Sequence, residues 1–186
     1  ASLDRVPQVR DGSERMMIKR VVTDVDGVLT DGKHYYTCEG KYSKAFAPHD
    51  ADAIKIFRAL GVEVTAITAD KRGFGISKAR ARDLGLEIEL VPERERLAWF
   101  KKNCDSHTTA FVGDGLWDSL VLREAKWSFA PSDAVPEARA AASCVLDCRG
   151  GAGVLLEVLR RTHSKFTNIR HDGTLVIDLE RLSEKL

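Results

Sequence analysis

Apolar residues along this chain fall at two different spacings, and the switches between them mark out the elements. A β-branched run at 20–24 predicts a first strand, and alternating runs at 34–38 and 41–46 meet at Glu39-Gly40 as a hairpin. Apolar positions at 53, 54, 56, 57 and 60 form one helical stripe that stops at Gly61, and the run at 62–67 predicts a buried strand. Further strands are predicted at 86–90, at 108–112 and near Trp127 and Val145, with helices at 77–84, 93–103, 116–124 and 153–162. Strands alternating with helices of about ten residues predict βαβ units, hence an α/β fold with a doubly wound parallel sheet and a projecting β-hairpin flap. Residues 1–16 are polar and aperiodic and read as a leader, 17–163 as the core domain, and 164–186 as a tail. In that tail Thr174-Leu175-Val176-Ile177 is expected to be an added strand or an interface arm.

A chain of 186 residues with 44% hydrophobic and 31% charged residues can bury one real core. Lys+Arg 29 against Asp+Glu 28 gives a net charge of +1, which argues against nucleic acid or an anionic membrane as partner and for a small substrate. No apolar run approaches the roughly 18 residues of a membrane span, so a cytoplasmic location is expected. Cys38, Cys104, Cys144 and Cys148 make no C-x-x-C pair and read as reduced, mostly buried thiols.

The chemistry concentrates where predicted strands end. Val21-Val22-Thr23-Asp24-Val25-Asp26-Gly27 delivers two carboxylates two residues apart and then a glycine for a sharp turn. Asp24 and Asp26 repel unless a divalent cation or a proton intervenes. Thr68 follows the next strand, and Gly113-Asp114-Gly115-Leu116-Trp117-Asp118 follows another, with Asp118 one helical turn beyond Asp114. Ligands of open α/β sheets bind at the strands' carboxyl ends, so these residues are expected on one rim. A hard cation such as Mg²⁺ suits Asp24, the Asp26 carbonyl and Asp114 as oxygen ligands, with Asp118 behind them or capping its helix.

D-x-D-G-V, a hydroxyl after the second strand and G-D-x-x-x-D together resemble the haloacid dehalogenase superfamily of phosphohydrolases, over most of residues 21–159. The resemblance implies a Rossmann-like core, Asp24 as the nucleophile that forms an aspartyl-phosphate, and Asp26 as the acid that becomes a base. It also implies that Thr68 and the amides after Asp24 hold phosphoryl oxygens. The family's lysine has Arg96 as its nearest positional match, with Arg94 as the fallback, and an arginine fork is not a lysine point charge.

The intervals between these motifs leave no room for a cap domain. The hairpin with Tyr35, Tyr36, Tyr42 and Phe46 is similar to the projecting ribbon of the capless branch typified by 3-deoxy-D-manno-octulosonate 8-phosphate and 2-keto-3-deoxynononate 9-phosphate phosphatases. That likeness implies a homotetramer packed through the hairpin flap, with Arg149 and Gly150-Gly151-Ala152-Gly153 reaching a neighbouring site. Thr30-Asp31-Gly32 and Lys44-Ala45-Phe46 before His49-Asp50 are further matches. An acidic sugar phosphate calls for cations, and Lys71, Arg72 and Arg80 follow Thr68. Asp70, in Thr68-Ala69-Asp70-Lys71, leans towards the nononate type. The expected activity is a Mg²⁺-dependent phosphatase for a small phosphorylated sugar acid of that type, with the octulosonate substrate or another small metabolite as the alternative. A catalytically weak oligomerisation subunit is the competing class.

Overall fold

The computed structural model describes residues 18–184, so the expected leader lies outside the described residues. In chain order the elements are β1 (Arg20–Asp24), β2 (Thr30–Thr37), β3 (Gly40–Phe46), α1 (His49–Ala59), β4 (Glu63–Thr68), α2 (Phe74–Asp83), β5 (Glu87–Leu90) and α3 (Arg96–Asn103). There follow β6 (Thr109–Val112), α4 (Asp118–Glu124), β7 (Trp127–Ala130), α5 (Pro136–Ala141), β8 (Cys144–Val145), α6 (Val154–Thr162), β9 (Thr167–Ile169), β10 (Leu175–Ile177) and α7 (Leu179–Ser183).

Six strands form one sheet in the order β5-β4-β1-β6-β7-β8, every pair parallel. Val21 and Val22 project to opposite faces of β1 and both are fully buried, as a central parallel strand covered by helices on each side demands. Ile54, Phe57, Leu155 and Leu159 pack one face, and Phe100, Phe111, Val121 and Leu122 pack the other. After β1 the chain goes to β4 and β5 on one side and returns to β6 on the other. That reversal puts the carboxyl ends of β4, β1 and β6 side by side, at the switch point where a crevice opens.

β2 and β3 form the expected hairpin outside this sheet, and β2 starts at Thr30, straight from the irregular turn at Val25–Leu29. The helix expected over 93–103 is a short 3₁₀ turn at Glu93–Glu95 followed by α3. Pattern reading missed α5, which has too few apolar residues to show a stripe, although Pro136 at its first turn is a start signal. In the tail, β9 and β10 pair antiparallel, and Phe166 and Leu182 are buried. Cys38 is exposed and the other three cysteines are half-buried, which corrects the expectation of mostly buried thiols; all four are free.

Asp50 couples α1 to α6. Its Oδ1 accepts the Leu155 amide at 2.8 Å, while its buried Oδ2 has no hydrogen-bond partner. Burial pushes its carboxyl up to about 6. A carboxyl raised above its unfolded value of about 3.9 holds its proton more tightly in the fold, so its contribution is most favourable below about pH 4 and is lost as pH rises through 6. Asp50→Asn is therefore expected to gain on the parent between pH 4 and pH 7 by at most about 3 kcal/mol. Urea unfolding at the two pH values reads this, and a difference that does not change with pH would contradict it.

Candidate active site

Asp24 ends β1, is 5% exposed, and receives the Val25 amide on Oδ1 at 2.8 Å. Arg96 opens α3 and aims its fork at the same carboxylate, Nη1 to Oδ2 at 2.9 Å and Nη2 to Oδ1 at 3.0 Å. Nη1 also donates to Asp118. Asp118 is fully buried at the start of α4, and its other oxygen accepts the amides of Asp114 at 3.2 Å and Gly115 at 3.0 Å. It thus holds both the turn carrying Asp114 and the guanidinium facing Asp24. Gly27 has φ +85°, and a Cβ there would stand 2.0 Å from Asp114 Oδ2. The glycine of D-x-D-G is required by backbone conformation and by this approach of the third acid.

One oxygen from each of Asp24, Asp114 and Asp118 lies within 4.8 Å of the others. Three carboxylates face one guanidinium. Burial pushes Asp24 up to about 8 against the pull of Arg96, with Asp118 and Asp114 adding repulsion. Burial and then Asp118 push Asp114 up to about 7. An all-oxygen donor set with surplus negative charge and little solvent fits a hard divalent cation, which favours the ionised acids it binds.

Asp26 faces the hairpin. Lys44 donates to it, with Nζ 2.7 Å from Oδ1 and 2.9 Å from Oδ2, the Thr68 hydroxyl donates to Oδ2 at 3.2 Å, and His34 Nε2 lies 3.0 Å from Oδ1. Thr68 is fully buried, and its hydroxyl oxygen accepts the Asp70 amide at 3.0 Å. Asp70 Oδ1 accepts the Gly73 amide at 3.0 Å, and Oδ2 takes Lys41 and Lys44. Although burial opposes it, the two ammonium groups hold this carboxyl well below the usual carboxylate range. A cleft of about 330 Å³ opens over Asp24, Asp26, Asp70, Arg96 and Asp114.

The structure brings together Asp24, Asp26, Thr68, Asp70, Arg96 and Asp114, but not the other expected cations. Lys71 is exposed, and Arg80 turns back to the Ala47 carbonyl at 3.4 Å; neither lines the cleft. α2 begins at Phe74, three residues before the expected start. Arg94 lies over the Trp117 ring at 5.4 Å, so of the two arginines Arg96 is the one at Asp24. Phe46, expected with the tyrosines at a subunit contact, is half-buried and packs against its own core. The glycine run lies under its own turn: a Cβ at Gly150 would stand 2.1 Å from the Gly27 carbonyl oxygen, and the Gly151 amide donates to Val28 O at 2.9 Å. Arg149 pairs with Asp133 at 3.0 Å. Within the chain the glycine run packs under the Gly27 turn, while the Arg149 side chain stays exposed.

Sequence reasoning missed His34, Lys41 and Lys44. Strict alternation puts residues 41 and 44 on opposite faces of a strand, yet both meet Asp70. The signal available was a lysine beside an apolar residue at the end of β3, where the hairpin returns to the sheet.

A parallel sheet whose switch point gathers these acids and Arg96 defines a phosphohydrolase of the haloacid dehalogenase superfamily, and the chain is a phosphatase. Within that superfamily it belongs to the capless family of 3-deoxy-D-manno-octulosonate 8-phosphate phosphatase KdsC. It is 32% identical over 146 residues to that enzyme from Haemophilus influenzae, covering 76% of this chain and 80% of the relative. The cobalt-bound structure of the Haemophilus influenzae phosphatase superposes with a TM-score of 0.70 at 30% identity, covering 80% of this chain and 91% of that one. The Moraxella catarrhalis phosphatase, in complex with magnesium ion, phosphate ion and 3-deoxy-D-manno-octulosonate (KDO), gives 0.70 at 26% identity over 81% of this chain and 90% of that one. No family model matches the chain.

Proposed function

We propose that this phosphatase is Mg²⁺-dependent and acts on 3-deoxy-D-manno-octulosonate 8-phosphate through an aspartyl-phosphate on Asp24. The observation that carries the reading is Asp24 itself, a buried carboxylate at the sheet's switch point, gripped by Arg96 and opening onto the cleft. The octulosonate substrate is favoured by the relatives' activity. The lean towards a nononate phosphate rested on Asp70, and both oxygens of that carboxylate are already engaged by Lys41, Lys44 and the Gly73 amide.

An Asp24 oxygen attacks phosphorus, a new O–P bond forms, and the ester P–O bond breaks. Asp26 gives its proton to the departing sugar oxygen. Water then attacks the aspartyl-phosphate, Asp26 takes the water's proton, and phosphate and free Asp24 are regenerated. Arg96 steadies Asp24 and offsets charge as the phosphoryl group moves. Asp24, Asp114 and the Asp26 carbonyl would hold Mg²⁺, which supplies electrostatic stabilisation of the transferring phosphoryl group. Thr68 binds phosphoryl oxygen only by exchanging its present bond to Asp26.

The exposed Tyr35, Tyr36 and Tyr42, at 42%, 55% and 60%, support hairpin-mediated assembly into a tetramer. No helix among the described residues is long and apolar enough to cross a membrane.

The deciding experiment is phosphate release, with Mg²⁺ and with chelator, across octulosonate, nononate, hexose and nucleotide monophosphates. Metal-dependent release that prefers the octulosonate ester is expected. Preference for another ester rejects the substrate, and release unaffected by chelator rejects the metal.

A further inference from the structure

Lys44 is a charged side chain in an unusual place. It sits on β3 with its side chain fully buried, outside the cleft. A buried ammonium is costly unless each of its three N–H groups finds an acceptor. Here the acceptors are Asp26, Asp70 Oδ2 at 2.8 Å and Ser77 Oγ at 2.9 Å. They come from three different segments. Asp70 lies in the loop after β4 and is pinned by the Gly73 amide, and Ser77 is a buried residue of α2. The ammonium is therefore fixed by Asp70 and Ser77, and its remaining contact is with the carboxylate proposed as acid and base.

Asp26 needs such a partner. It lies in the irregular turn after β1, at φ −82° and ψ 117°, immediately before Gly27 with its positive φ, so no sheet ladder holds its backbone. Lys44 is near both of its oxygens, which fixes the plane of the carboxylate as well as its position. Small displacements of a reacting group are expensive, because the gain from proximity requires near-attack geometry.

We propose that Lys44 is a positioning residue: clamped by Asp70 and Ser77, it holds the Asp26 carboxylate where the leaving oxygen of the phosphoester arrives. This rests on the reading of Asp26 as the proton donor. It also gives the hairpin a function besides covering the site, because β3 brings the third anchor of the acid.

The test uses a series of aryl phosphates of similar size whose leaving phenols differ in acidity. With Mg²⁺ present, log kcat/KM is plotted against leaving-group pKa; kcat/KM reports steps up to and including phosphoryl transfer. An enzyme that donates a proton gives a shallow slope, and one that has lost donation gives a steep one. The parent is expected to be shallow and Asp26→Asn steep. Lys44→Met is expected to be steep too, losing about 100-fold on the least acidic phenol and about 3-fold on the most acidic. A Lys44→Met line parallel to the parent, however far below it, overturns the proposal, because a merely structural role lowers all esters alike. A parallel line for Asp26→Asn instead overturns the reading of Asp26 as donor, and the positioning role falls with it. Circular dichroism checks that Lys44→Met folds. If it does not, Ser77→Ala, which removes one clamp and keeps the charge, decides: an intermediate slope supports the proposal and the parental slope overturns it.

Discussion

Asp24→Asn is expected to reduce Mg²⁺-dependent phosphate release by at least about 10⁴-fold, the scale on which a removed nucleophile is felt. The substitution is nearly isosteric. The amide oxygen can still accept the Val25 amide, so the end of β1 should keep its shape. What disappears is an anionic oxygen able to form an ester with phosphorus. The fold should tolerate the change, because Asp24 is one of three crowded acids and its removal relieves repulsion from Asp118 and Asp114 while costing Arg96 one of its two anionic partners. Steady-state phosphate release together with a thermal melt checks both halves. Parental activity in a folded variant removes Asp24 from the nucleophile role.

The second large effect is on stability. Arg96 is 4% exposed and is the cation between Asp24 and Asp118. In Arg96→Met, with chelator present, the cost is expected to be about 3–5 kcal/mol, because breaking a buried pair from one side leaves uncompensated charge. Arg96→Lys keeps the charge but not the fork, so it should lose less. Mg²⁺ at the proposed site should stabilise the folded parent, by about 2.7 kcal/mol when present at roughly a hundred times its dissociation constant. Urea unfolding of parent and variants, with chelator and with Mg²⁺, reads this directly. Parental stability of Arg96→Met in chelator would show that the acids are not crowded enough to need the arginine. Parental stability that Mg²⁺ leaves unchanged would argue against a metal at Asp24, Asp114 and the Asp26 carbonyl.

Arg96 also shows how an expectation read from spacing fares against geometry. Its place in the chain made it the nearest match for a cation before the acidic turn, and it stands at Asp24, while Arg94, two residues earlier, stacks on Trp117. The single turn of 3₁₀ helix at Glu93–Glu95 carries Arg94, whereas Arg96 opens α3. Lys71 and Arg80 were expected at the site by the same kind of counting, and their side chains do not line the cleft. Lys71 lies in the loop before α2 and is exposed, and Arg80 on α2 donates to the Ala47 carbonyl.

The sequence alone determined the alternation of strands and helices, the doubly wound sheet, the hairpin, and the gathering of Asp24, Thr68 and Asp114 at neighbouring strand ends. These follow from local causes: periodicities of two and 3.6 residues, glycine turns, and the rule that a parallel sheet opens at its carboxyl edge. Only the tertiary structure decided which cations serve the site. Lys44 reaches Asp26 from the hairpin, Asp70 pairs with Lys41 and Lys44 at the wall of the cleft, and Gly150 packs under the Gly27 turn from more than a hundred residues away. A lysine's charge is visible in the sequence, but its partner is set by burial. An ammonium shut away from water must take whatever acceptors the packed elements bring within three ångströms or so, and no local pattern records that requirement.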